Sequence, residues 1–208
     1  MSSTEKLDFK RSEKQFYQPK KLEIVDLPEM NFISIDGKRA PSSSEFQSAI
    51  EKLFPVAYAI SMSYNGDYEI PGFQPFVVPP LEGLWTSQTA DYAGNKNELI
   101  WKIMLRMPDF VTTEVVEWAK NEAGRKKKLD FSMINFEQIT DGLCVQTMHL
   151  GSYESEPATF EKMAEFAAGQ GYETIHKDFH HREIYISDFR KTAAEKLKTV
   201  LRQYVKKL

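Results

Sequence analysis

The sequence predicts an α+β fold in which two strand-helix-strand-strand units, related by a pseudo-twofold axis, share an antiparallel sheet and leave a ligand groove between them. Three observations predict it. Arg182-Glu183-Ile184-Tyr185-Ile186-Ser187 alternates with the period of a strand: Ile184 and Ile186 fall on one face, and Glu183, Tyr185 and Ser187 on the other. Elsewhere apolar residues recur at helical spacing, as in Phe46, Ala49, Ile50 and Leu53, or in Phe160, Met163, Ala164 and Ala167. Lastly, two stretches match at an offset of 114 residues. The strand Phe32 to Ile35, then Gly37 and Phe46, sits over the strand Val145 to Met148, then Gly151 and Phe160, and Glu51 falls on Glu165. Pockets favour the interface between such half-units.

Composition narrows the class. At 208 residues the chain has the length for a full core, and 41% hydrophobic with 27% charged residues is the balance of a globular domain. A net charge of −3 argues against a nucleic-acid footprint. The one basic cluster, Arg125-Lys126-Lys127-Lys128, closes a predicted helix, where its charge suits the negative end of the dipole. A single cysteine, Cys144, excludes an internal disulfide and a thiolate zinc cluster. Set between Leu143 and Val145, it reads as a small buried hydrophobe. No stretch approaches the ~20 apolar residues of a membrane span, and the polar N-terminus lacks the apolar core of a signal peptide. No membrane partner is expected, and the cytosol is the expected compartment.

In order, residues 1–21 read as a polar, frayed or peripheral arm, and 22–208 as one domain with half-units at about 30–128 and 129–208. A short edge strand at 22–26 is ended by Pro28. The strand at Phe32 leads into a helix from about Glu45, with Pro55 marking a kink or a break. A Gly/Pro-broken segment then carries Leu81-Glu82-Gly83-Leu84-Trp85, and residues 88–97 form a polar loop. The dense apolar run from Leu99 to Met107, stopped by Pro108, suits a central strand. Thr112 or Thr113 opens a second helix. The Asp141-Gly142 pair predicts a hairpin between strands at 131–136 and 143–150. Ser155 caps a helix ended by Gly169 and Gly171, and after the strand at Glu183 the chain ends in a helix through Leu197, Val200, Leu201 and Tyr204.

Three short motifs in this order resemble the GyrI-like small-molecule-binding domain: Pro80-Leu81-Glu82-Gly83-Leu84-Trp85, Gly151-Ser152-Tyr153-Glu154, and Glu183-Ile184-Tyr185-Ile186-Ser187-Asp188. The first looks like the signature of the stand-alone bacterial branch, and the resemblance runs from about Met30 to the C-terminus. It implies a duplicated strand-helix-strand-strand fold and an aromatic-lined groove with a glutamate at Glu183. In the regulator members this domain follows a helix-turn-helix, for which the residues before Leu22 offer no room. Some stand-alone relatives hydrolyse cyclopropane-bearing DNA alkylators and so protect the cell.

The groove candidates are Tyr58, Tyr64, Trp85, Trp101, Phe136, Tyr153 and Tyr185, with Glu82, Glu154 and Glu183 as carboxylates. Aromatic faces sandwich planar heterocycles, and a carboxylate among them attracts a cation or holds water. Each tryptophan has core packing as its simpler role, Glu154 has helix capping, and Glu82 has a structural or solvent role. For hydrolysis, Glu183 is the expected general base, Glu154 helps to hold water or substrate, and Tyr153 or Tyr185 meets the developing phenolate oxygen. His176, His180 and His181 read as exposed loop residues, and His149 as a strand residue with an ordinary hydrogen bond. No phosphate loop, Ser-His-Asp motif or H-E-x-x-H motif occurs, so neither metal nor cofactor is expected. The expected partner is a planar polycyclic or cationic small molecule. The rival functions are non-catalytic sequestration in the same pocket, or a gyrase-binding protective role through the acidic surface.

Overall fold

The computed structural model describes residues 6–87 and 95–208; residues 1–5 of the expected arm and 88–94 of the expected polar loop lie outside them. The sheet is built from β1 (Glu23–Lys38), β2 (Glu82–Ser87), β3 (Leu99–Met107), β4 (Asn135–Leu150), β6 (His181–Tyr185) and β7 (Lys198–Lys207), with the short β5 (Tyr172–Thr174) added to β7. These strands pair antiparallel in the order β4, β1, β3, β2, β6, β7, and β7 pairs back onto β4. The ring is therefore closed, which removes the unpaired edges an open sheet presents.

The pairings make the duplication visible. β1 pairs with β3 as β4 pairs with β7, and β3 with β2 as β7 with β6; the units meet along β1–β4 and along β2–β6. One long helix follows the first strand of each unit. α3 (Ser44–Ser61) lies in the first unit and α5 (Glu156–Gly169) in the second. α4 (Thr113–Lys127), capped by the Thr112 side chain, packs beside α3, and Arg125, Lys126 and Lys127 fill its last turn. α3 runs unbroken through Pro55.

Alternation along the strands separates two faces. The outer face carries Ile33, Ile35, Trp85, Trp101, Ile103 and Leu105 beneath α3 and α4, and Val145, Leu201 and Val205 beneath α5. The inner face gathers Phe32, Leu84, Met104, Cys144, Ile184, Val200 and Tyr204. Buried charges share that inner face. The Arg182 guanidinium donates to Glu82 Oε2 at 3.2 Å and to Asp141 Oδ1 at 3.1 Å, and Arg202 Nε donates to Gln146 Oε1 at 2.8 Å. Cys144 is a buried free thiol, pushed up to about 12 by burial and then by Asp141.

Several expectations are corrected. The chain ends in the strand β7, not in a helix. Residues 199–202, 204 and 205 are buried on both faces of β7, so its apolar run lacks the period of two and reads as helical spacing. Asp141-Gly142 makes no hairpin, because β4 runs straight through it: Gly142 takes φ +69 within the strand, and Asp141 turns inward to Arg182. Pro28 does not end β1 either. It lies where β1 pairs only with β4, since β3 joins from Asn31 onward, and a proline is tolerated on an open side. The segment 131–134 precedes the strand as a turn, with Phe131 and Ile134 packed in the outer core.

The arm is not peripheral. Its described part forms α1 (Phe9–Ser12) and α2 (Lys14–Tyr17), closed over the inner face with Phe9 and Tyr17 buried against Ile184 and Val200. Glu13 pairs with Arg106, whose guanidinium lies 4.0 Å over the Phe9 ring, and Arg202 donates to the Phe16 carbonyl. Phe9→Ala is expected to lower the unfolding free energy by about 3–5 kcal/mol, read as a fall in urea midpoint at constant slope. A loss under about 0.5 kcal/mol would return the arm to the periphery.

Candidate functional site

Where β2 and β6 pair, their outer faces lie between the two long helices. Phe46 of α3 approaches Trp85 at 5.7 Å between ring centroids, and Phe160 of α5 approaches His181 at 4.6 Å. This is the seam between the half-units, and the alternation of β6 sets His181, Glu183 and Tyr185 along it while Arg182 and Ile184 turn inward. Glu183 is 6% exposed. His181 Nε2 donates to its Oε1 at 2.9 Å, and the Tyr185 hydroxyl faces the same carboxylate. Tyr185 in turn accepts from Trp85 Nε1 at 2.9 Å.

That last bond depends on Gly83, which pairs with Glu183 across β2–β6. A Cβ at Gly83 would meet Trp85 Nε1 at 2.6 Å and the Tyr185 hydroxyl at 3.0 Å, so a side chain there displaces one of them. The absence of a side chain at this position is what lets the indole cross to the next strand.

A further wall comes from the turn before α5. At the end of β4, His149 bonds Thr159 Oγ1 at 2.8 Å, Ser155 Oγ at 3.1 Å and the Ser152 carbonyl at 3.0 Å, tying that turn to the helix it precedes. Gly151, at φ +130, makes the reversal. Tyr153 and Glu156 lie three residues apart at this helix start and so come to one side. Tyr153 stands edge-on to Tyr185 at 6.1 Å between centroids, and Glu156 is buried beside Glu183, with a carboxylate oxygen of each within 4.8 Å of the other. Burial, then Glu183, raises the Tyr153 and Tyr185 hydroxyls above their ordinary range. Both phenols therefore stay protonated and can donate. Burial, then Glu183, also pushes the Glu156 carboxyl up to about 10. The donor atoms of Glu156, His181 and Glu183 all lie within 4.8 Å of one another, a spacing that a proton or a divalent cation can satisfy.

Of the residues singled out from sequence, the seam brings together Glu183, Tyr185, Trp85 and Tyr153. Glu154 does not join them: its side chain is 70% exposed and pairs with Lys96 at 3.3 Å, its backbone hydrogen bond and Lys96 holding its carboxyl low. Glu82 lies on the other face of the sheet, buried with Arg182 and Tyr17, and burial raises its carboxyl. Trp101 shares the outer face with Trp85 but is wholly buried, its ring lying over Gly37 and edge-on to Phe46. Phe136 packs on the outer core, and Tyr64 is exposed beside Phe73. Tyr58 lines a groove of about 780 Å³ between α3 and α4 that neither Glu183, His181 nor Tyr153 lines. That groove shares Ile50, Phe54 and Arg190 with a cleft of about 240 Å³ lined by Tyr185.

Two seam residues were missed, Glu156 and His181. His181 is buried in β6 and is no loop residue, whereas His176 and His180 stack on each other at 4.1 Å. Reading the period of two one pair further back from Glu183 reaches His181. The Glu156-Pro157 step, a helix-start signal, marks Glu156.

A duplicated, closed antiparallel sheet with a buried carboxylate in an aromatic seam defines a small-molecule-binding scaffold. Residues 20–202 match the GyrI-like small molecule binding domain, and the chain belongs to that family. Among solved structures, a hydrolase from Listeria innocua is 42% identical with a TM-score of 0.90, the match covering 97% of this chain and 100% of that one. An uncharacterized conserved protein from the same organism is 43% identical with a TM-score of 0.92 over the same shares. The EcmrR C-terminal domain, 16% identical with a TM-score of 0.54 over 90% of this chain and 98% of its own, shares the fold. No curated protein is matched by the sequence. Among the described residues no helix is long and apolar enough to cross a membrane.

Gly83→Ala is expected to break the Trp85–Tyr185 bond at a cost of about 1–3 kcal/mol. The near-ultraviolet circular dichroism of the aromatic residues should change and the urea midpoint should fall; an unchanged spectrum would refute this account of the glycine.

Proposed function

We propose that the protein binds planar aromatic molecules in the seam and hydrolyses cyclopropanoid DNA-alkylating toxins by glutamate-assisted attack of water. The observation that carries this reading is Glu183, buried among Trp85, Tyr185 and Tyr153 where the two half-units meet. Likeness to a 42%-identical hydrolase over nearly the whole chain supports an enzyme.

Water attacks the less hindered carbon of a cyclopropane conjugated to a dienone. The new C–O bond forms as the strained C–C bond breaks, and that electron pair passes through the ring to the carbonyl oxygen as a phenolate. Glu183 takes the proton from water, and a proton returned to the phenolate leaves the net addition of one water. Strain and rearomatisation supply the driving force, so the site contributes positioning and acid–base help, the latter typically ~10²–10⁴-fold. The Tyr185 hydroxyl is already engaged by Trp85 Nε1, so Tyr153 is the phenol that donates to the developing phenolate oxygen.

The binding-domain character of the family supports a second reading, sequestration without turnover. Substoichiometric protein incubated with a duocarmycin-type alkylator distinguishes them. Hydrolysis gives several equivalents of ring-opened, water-added product by mass spectrometry, and sequestration gives none. Glu183→Gln is expected to keep ligand affinity within a few-fold and to lose about 10²-fold or more in kcat. Turnover by Glu183→Gln at the wild-type rate would remove Glu183 from the mechanism.

A further inference from the structure

Glu156 is buried beside a second carboxylate. It is 6% exposed, its Oε1 has no hydrogen-bond partner, and an oxygen of its carboxyl lies within 4.8 Å of one of Glu183. The groups facing the pair are Tyr185 and His181 on β6, Tyr153 and the exposed Glu154 in the turn before α5, and Trp85 on β2, with His149 a step away through Ser155. None of them is a lysine or an arginine. Two ionised carboxylates this close inside a buried seam would each lose hydration and repel the other. One proton between them removes both costs.

We propose that Glu156 and Glu183 share a single proton, with Glu156 as the neutral carboxylic acid that donates to Glu183. The seam then meets its ligand as one negative charge, fixed on Glu183 between the Glu156 hydroxyl and His181 Nε2–H. Such a site suits a planar monocation, or a water polarised for attack, and it disfavours anionic aromatics. Glu156 is thus a positioning residue, acting on substrate through Glu183. Its effect on turnover rests on the hydrolytic reading; the protonation state does not.

Linkage supplies a readout that needs no substrate. Glu156 has a folded value near 10, above the ~4.3 of an unfolded glutamate. Folding therefore favours its neutral form. That contribution is complete below the unfolded value and is lost as pH rises toward the folded one. An amide at this position cannot ionise, so E156Q should lack the decline.

The test is infrared difference spectroscopy of the full chain, with urea denaturation at stepped pH. At about pH 8, far above the ordinary carboxyl range of ~4, wild type is expected to show the C=O stretch of a protonated carboxylic acid that E156Q lacks. E156Q should also gain stability over wild type progressively from about pH 5 to about pH 10. With an alkylator, wild-type turnover should change at alkaline pH and E156Q turnover should not. Should E156Q fail to fold, the wild-type band followed through about pH 11 decides, because it must vanish well above the ordinary range. Absence of the band at about pH 8, or one equivalent of a divalent cation copurifying with the protein and lost to a chelator together with ligand binding, overturns the proposal. Absence of turnover with the band present overturns the hydrolytic reading alone.

Discussion

Arg182 and Glu183 are neighbours in sequence, and the pleat of β6 sends them to opposite sides of one sheet. Each is a buried charge, and neither can answer the other. The guanidinium points inward, where Glu82 and Asp141 receive it. The carboxylate points outward, where His181, Tyr185 and Glu156 receive it. Breaking a buried pair by removing one partner is costly, on the order of 3–5 kcal/mol, so this register of β6 is strongly specified. A slip by one residue would place the guanidinium in the aromatic seam and the carboxylate among the acids of the inner face.

The closed ring makes that arrangement rigid. β6 is held on one side by β2 and on the other by β7, and β7 is held by β4. The seam floor therefore belongs to both half-units at once, with Gly83 and Trp85 from the first and His181, Glu183 and Tyr185 from the second. The N-terminal segment seals the opposite face, where Tyr17 reaches Glu82 and Glu13 reaches Arg106. Burial of Glu82 and Arg182 thus depends on the arm as well as on the strands.

Much of this was legible in the sequence, for physical reasons that also mark where legibility stops. α3 and α4 announce themselves because one stripe is buried and the other is wet, and their serine and threonine caps stand where the pattern begins. β7 is buried on both faces and carries no such contrast. The Asp141-Gly142 pair has the chemistry of a turn, yet its aspartate is claimed by Arg182, a residue 41 positions away. The charged segment 6–17 looks solvated because its ions are counted singly, whereas Glu13 is matched by a buried arginine. In the seam, the period of two places Glu183 and Tyr185 correctly. What it cannot show is which of two nearby glutamates turns inward at a helix start: Glu154 sits in the turn before α5 and Glu156 opens the helix two residues on. Tyr58, Tyr64 and Trp101 are aromatic for reasons of groove, surface and core.

A trap for cations and a base for water make different demands on a carboxylate. A trap gains from a charge that moves to meet ligands of differing shape, whereas proton transfer requires an oxygen held at one place and angle before the ligand arrives. Glu183 is bonded by His181 and faced by Tyr185 and Glu156, three groups from two elements, each itself fixed. His181 is packed against Phe160, Tyr185 is bonded to Trp85, and Glu156 sits in a helix start clamped by His149. Charge-assisted hydrogen bonds of this kind shorten and stiffen an ion rather than free it. So much fixing of one carboxylate is more than cation capture requires, and it supports the hydrolytic proposal over sequestration.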